Sequence, residues 1–182
     1  MINVKNKLIL SPLSVFLLKA GAVYAVWHLL YDYILLPDGR LDTFLSFSGV
    51  RLAAGVLSIL GWEVESAGRV IAIFGTGGVK IQNGCNGLEL LGLYAGFIIA
   101  YPGPMRKRLL LLAGGLLVLY FANVFRISAF ALSDVYIPQH WDKVHTYSSY
   151  VIFYPLVLGL WYTWTVISDQ QNIFSGGEFS SA

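Results

Sequence analysis

Charge is scarce in this sequence: Asp, Glu, Lys and Arg make up 12% of its 182 residues, about half the share of an ordinary soluble domain. So little polar surface cannot keep a folded chain of this size in water. The formal net charge of +2 is too small for a nucleic-acid-binding surface. Cysteine occurs once, which excludes an internal disulfide and any cysteine-rich zinc site. Phosphate loops, dinucleotide fingerprints and histidine-based zinc motifs are missing too, so no cofactor or metal is expected. Hydrophobic residues, by contrast, reach 57% and aromatic residues 15%, at a mean hydropathy of +0.67. That content excludes a disordered chain. The sequence reads as a single membrane domain over 1–182, an all-α integral membrane helical bundle.

Crossing a hydrocarbon core of about 30 Å takes about 20 helical residues. Four runs qualify: Ser11 to Leu36, Asn86 to Tyr101, Leu109 to Leu132 and Thr146 to Ile167. The first holds Tyr24, Trp27, Tyr31 and Tyr33 and lacks a small-residue cleavage site, so it is expected to stay as a mature helix and not to leave as a signal peptide. A weaker fifth run, Leu41 to Trp62, is interrupted by Ser48, Arg51 and Ser58. Residues 168–182, Gly/Ser-rich at their end, are expected to form a flexible tail.

Basic residues set the orientation. Lys5 and Lys7 precede the first helix, and Arg106, Lys107 and Arg108 follow Pro102 and Pro104 in a tight turn. Both groups are expected on the cytoplasmic side. Five crossings would separate them, so one run must not cross. Leu41 to Trp62 is assigned that role, as an interfacial or re-entrant helix on the outer surface; an N-terminus on the outer side is the alternative. Between Glu63 and Asn83, Val70 to Phe74, a Gly75-Thr76-Gly77-Gly78 turn and Val79 to Ile81 predict a small extracytoplasmic β-hairpin. Open sheet edges do not survive in lipid.

This topology brings three chemically active side chains to one membrane face. Cys85 begins the helix that leads into the basic turn. Arg126 lies about 27 Å beyond Arg108 at 1.5 Å per residue, and His145 opens the last helix from the same side. At a helix N-terminus, aligned amides are expected to favour a thiolate at Cys85. An arginine inside an apolar run faces a cavity or a partner more often than lipid. Glu89 sits one turn from Cys85, so an ion pair with Arg126 competes with any catalytic use of either residue. Asn123, one turn before Arg126, can orient it or satisfy a buried contact. His140 competes with His145 as proton carrier, and His28 is expected as a packed contact between helices. Together, a thiol, an imidazole and a guanidinium fit acyl transfer through a thioester. Close helix contacts are expected at Gly92, Gly96, Gly114 and Gly115.

Three elements then resemble one family in order and spacing, over roughly Leu41 to Trp164. Gly84-Cys85-Asn86-Gly87-Leu88 resembles the Cys-Ser/Asn-Gly-Leu element of the exosortase/archaeosortase family. Asn123-Val124-Phe125-Arg126-Ile127 resembles its Asn-x-x-Arg-Ile element, and His145 ahead of Tyr150-Val151-Ile152-Phe153 resembles its third. The resemblance implies a multi-pass cysteine transpeptidase of the plasma (inner) membrane, with its active site on the extracytoplasmic face. Its partners are exported proteins whose C-terminal sorting signal is a short motif, a membrane helix and a basic tail. Cleavage through a Cys acyl-enzyme is followed by transfer to a cell-surface acceptor of unknown identity. Cys85 is then the nucleophile, Arg126 the oxyanion or substrate stabiliser and His145 the acid/base. Asn86, Gly87, Glu89 and Asn123 are supporting or substrate-binding neighbours. Many members carry further N-terminal spans, and this chain resembles the compact bacterial forms. A hydrolytic intramembrane cysteine protease and a non-catalytic scaffold or transporter subunit remain the alternatives.

Overall fold

The computed structural model describes residues 11–176; Lys5, Lys7 and residues 177–182 lie outside the described residues. The first helix starts at a cap: the Ser11 hydroxyl accepts the Ser14 backbone N–H at 3.1 Å, satisfying one of the free donors of a helix end. α1 (Pro12–Leu30) runs through a π-helical turn (Tyr31–Leu35) into α2 (Leu36–Asp38). Gly39, at φ +64, breaks that rod in the left-handed backbone that glycine adopts without strain. α3 (Arg40–Ile59) follows, then strands β1 (Val64–Ala67), β2 (Val70–Ile73) and β3 (Val79–Lys80). A 3₁₀ turn (Asn83–Cys85) leads to α4 (Leu88–Ala100) and, past the two prolines, to α5 (Met105–Tyr136). The chain closes with a 3₁₀ turn (Pro138–His140), α6 (Trp141–Ser148), a π-helical turn (Ser149–Phe153) and α7 (Tyr154–Gly176).

Side-chain contacts give the helices their directions. Phe16 meets Phe97 and Tyr101 while Trp27 lies over Gly92, so α1 and α4 are antiparallel. The Tyr94 hydroxyl crosses Gly115 to donate to the Leu111 carbonyl at 2.6 Å, and Gly87 rests on Asn123; α4 and α5 are antiparallel as well. Arg126 over Phe153 and Arg108 over Trp164 make α5 and α7 antiparallel in turn. α1, α4, α5 and α7 therefore make four passes between the basic turn and the opposite end. α3 behaves differently. Its Gly49 packs on Ile127 and Trp62, just past its end, on Tyr136, so it runs parallel to α5 and away from the basic turn.

This sorting revises the list of spans. By length and apolar content the four candidates are Leu13–Asp38, Arg40–Ile59, Met105–Tyr136 and Pro138–Asp169. α4, read above as a full span, has 13 residues and rises about 20 Å, two-thirds of a hydrocarbon core. The non-helical stretch ahead of it makes up the difference, with Asn86 and Gly87 buried in protein, as irregular backbone at such depth requires. α3 buries one face, with Val50, Ala53 and Leu57 fully enclosed between α5 and the sheet, while Phe44, Phe47 and Leu52 stay exposed; by length and apolar content it is itself a candidate span. The expected tail does not begin at 168, since α7 is helical to Gly176.

The predicted hairpin is the second half of a three-stranded antiparallel sheet in the order β1-β2-β3. Val64 pairs with Ile73 and Ala67 with Val70; Ile71 pairs with Val79. β2 and β3 turn Ile71, Ile73 and Val79 into a core shared with Leu57, Ile127 and Phe130. The Asp134 carboxylate of α5 accepts the Gly78 N–H at 3.0 Å and ties the sheet down. A second core joins α4, α5 and α7 through Tyr94, Ile98, Leu119, Phe153 and Trp164. Outward-facing leucines, valines and aromatics such as Leu17, Leu110, Phe125 and Val151 stay exposed, the surface a bilayer covers.

Candidate active site

Backbone hydrogen bonds shape the turn that carries the thiol. The Cys85 N–H donates to the Gln82 carbonyl at 2.9 Å and the Asn86 N–H to the Asn83 carbonyl at 3.2 Å. Gly87, at φ +84, then redirects the chain into α4; a Cβ there would meet the Asn123 side chain at 3.4 Å. Asn86 closes the junction by accepting the Leu88 N–H on its side-chain oxygen at 3.0 Å, as asparagine does where a helix begins.

Across from this turn, α6 brings His145 to the sulfur: Cys85 Sγ and His145 Nε2 are 2.8 Å apart. With the imidazole proton on Nδ1, Nε2 accepts from the thiol. The imidazole is held by aromatic rings, Phe130 at 5.5 Å and Trp141 at 6.0 Å between centroids. His140, the competing histidine, is exposed in the 3₁₀ turn before α6. His28 does not bridge helices; it is exposed and pairs along its own helix with Asp32 at 3.2 Å.

Arg126 is 2% exposed. Its Nε donates to the Ser148 hydroxyl at 3.0 Å, and that hydroxyl donates onward to the His145 carbonyl at 2.8 Å. Its guanidinium lies 5.0 Å from the Phe130 ring and 5.3 Å from Phe153. Glu89 is exposed, and among the described residues no carboxylate pairs with Arg126, contrary to the competing expectation from sequence. Asn123 packs beneath Gly87 and makes no hydrogen bond to Arg126 among the described residues.

Two recesses open from this cluster. Cys85 and His145 line a cleft of about 650 Å³ with Lys80, Asp134 and Asp142. Arg126 faces a second cavity of about 360 Å³, shared with Trp27, Asp32, Glu89 and Tyr154. Gly84 borders both, and both π-helical turns contribute residues to the second, Tyr31 with Asp32 and Ser149. Such turns recur where a helix is bent to serve a site.

Burial pushes the Cys85 thiol above its ordinary value, while the Arg126 charge and the backbone hydrogen bond at Gln82 pull it down; burial is the larger effect. Burial thus opposes the helix-end acidification expected from sequence. The arrangement suits a nucleophile that loses its proton during attack.

Phe130 and Ser148 escaped the sequence reading. Phe130 follows Arg126 by four residues and Ser148 follows His145 by three, so each was findable as a same-face helical neighbour of a chemically active residue. The sequence profile of the transmembrane exosortase family matches residues 9–162, and the chain belongs to that family. No curated protein and no solved structure matches it.

Proposed function

We propose that this membrane exosortase is a cysteine transpeptidase that cleaves the C-terminal sorting signal of exported proteins. The observation that carries the proposal is the 2.8 Å contact between Cys85 Sγ and His145 Nε2, with a buried guanidinium beside it. As Sγ attacks the scissile carbonyl carbon, the thiol proton passes to His145 Nε2. The carbonyl oxygen becomes an oxyanion that Arg126 stabilises by charge and hydrogen bonding. Collapse of the tetrahedral intermediate breaks the C–N bond, His145 returns the proton to the departing amine, and a thioester remains on Cys85. An acceptor nucleophile then gives its proton to His145, attacks the thioester and restores the thiol. Ser148 holds Arg126 against the carbonyl of His145, and Asn86 and Gly87 shape the turn under the sulfur.

The scaffold alternative needs an inert Cys85 and an Arg126 paired with Glu89; the imidazole at the sulfur and a guanidinium with no carboxylate partner among the described residues favour catalysis instead. The basic turn Arg106–Arg108 is assigned to the cytoplasm, which puts Cys85 on the extracytoplasmic face of the plasma membrane. Substrates are exported proteins ending in a short motif, a membrane helix and a basic tail, passed to a surface acceptor. The test is processing of such a tailed protein in cells. Cys85→Ala and Cys85→Ser are expected to accumulate the uncleaved form, and wild-type processing by either would refute the assignment. Mass spectrometry of the mature C-terminus separates transfer from hydrolysis: an attached group supports transfer, a free carboxylate replaces it with proteolysis.

A further inference from the structure

α3 does more than fill the bundle. Its first turn places two consecutive polar residues, Asp42 and Thr43, beside the turn that bears Cys85. Asp42 is 0% exposed. Its Oδ1 accepts from the Asn86 side-chain amide at 2.6 Å, and its backbone carbonyl accepts from the same amide at 3.3 Å. The Tyr31 hydroxyl stands 3.5 Å from Oδ1, and Oδ2 has no hydrogen-bond partner among the described residues. Burying a carboxyl group with one oxygen unpartnered is destabilising, and an apolar residue at this position would pack without that penalty. Thr43 works through an intermediary: Arg69, in the turn between β1 and β2, donates from Nη2 to the Thr43 hydroxyl at 2.8 Å and from Nη1 to the Asn83 side-chain oxygen. Asn83 and Asn86 are the residues on either side of Gly84-Cys85. Both ends of the thiol's turn are therefore held from one turn of α3, one end directly and the other through a planar guanidinium suited to two simultaneous bonds.

The geometry points to Asp42, Thr43 and Arg69 as a clamp of positioning residues that keeps Cys85 within reach of His145, an assignment resting on Cys85 as nucleophile. A displacement of about 1 Å in a reacting group is enough to lose about two orders of magnitude in rate. Asn83-Gly84-Cys85-Asn86-Gly87, four of its five residues glycine or asparagine, has little conformational restraint of its own.

Iodoacetamide alkylation of Cys85 in the purified full chain in detergent, followed by intact-mass spectrometry, tests the clamp without a protein substrate. With the clamp intact, His145→Ala is expected to change the alkylation rate near neutral pH about tenfold, the effect of one unit in a thiol pKa. In Asp42→Ala or Arg69→Ala the added His145→Ala change is expected to matter less than about twofold on the same scale. Asp42→Asn, whose amide oxygen still accepts from Asn86, should keep the full His145 effect, a rescue that loss of general stability would not give. Arg69 is half-buried in a surface turn, so its variant carries the test if Asp42→Ala does not fold. An undiminished His145 effect in the Arg69→Ala protein overturns the clamp and leaves the nucleophile assignment standing. No His145 effect in the parent protein overturns both.

Discussion

Burying Arg126 takes a cation out of water, and Ser148 is what its Nε is given in place of water. Ser148→Ala should destabilise the protein by about 1–3 kcal/mol, the penalty for a buried donor left unsatisfied. Unfolding in mixed micelles would measure it, and Ser148→Thr, which keeps the hydroxyl, should recover most of the loss. The thiol offers a pH-dependent readout. Burial raises the Cys85 pKa and the Arg126 charge lowers it, so the alkylation rate should reach half its maximum above the pH of an ordinary thiol. Arg126→Gln removes the lowering influence, and its profile should move further to alkaline pH. A shift toward acid would contradict the placement of that charge. Arg126 stood out in the sequence as a charge inside an apolar run, whereas Cys85 and His145 stood out only because the order of spans brings them to the same face. Asp42 was not, because one carboxylate near the start of an interrupted helix looks like any polar helix end. Its burial depends on Tyr31 and Asn86 arriving from other elements.

At the scale of elements, neighbouring glycines on α5 separate packing from mere composition. A Cβ on Gly115 would collide with the Tyr94 hydroxyl, whereas one on Gly114 meets nothing within 4 Å. Gly115→Ala should therefore destabilise by about 1–3 kcal/mol through overpacking. Gly114→Ala should leave stability unchanged or raise it by about 0.5–1 kcal/mol through helix propensity. Thermal unfolding of the two purified variants, side by side, decides it; equal effects would mean that α4 and α5 do not pack through this contact. The sequence reading expected all four glycines to mark close approach, yet periodicity says only which residues share a face, not which face has a neighbour. The same limit hid β1. Glu65, Ser66 and Ala67 are all exposed and only Val64 is partly buried, too little alternation to register as a strand, whereas Ile71 and Ile73 on β2 were plain. The shortness of α4 was hidden for another reason: a glycine's sequence does not announce a positive φ, and left-handed Gly87 holds back the start of the helix to Leu88.

For the whole molecule, the testable feature is sidedness. A membrane-impermeant maleimide should reach Cys85 from outside intact cells, and in a Cys85→Ser background a cysteine replacing Lys107 should react only after the cells are opened. Labelling of both from the same side would overturn the four-pass path from α1 through α4 and α5 to α7. Much of this was written in the chain. Scarce charge and abundant apolar runs fixed a membrane bundle, because the bilayer acts on each segment's own composition. The basic turn fixed which ends of α4 and α5 lie together, because rise per residue is a local property. Tertiary structure alone decided that α3 runs along α5 toward the end opposite the basic turn and that Arg126 has Ser148 in place of Glu89. Each of those outcomes depends on which side chains from distant parts of the chain come within a few ångströms, and no single segment encodes that.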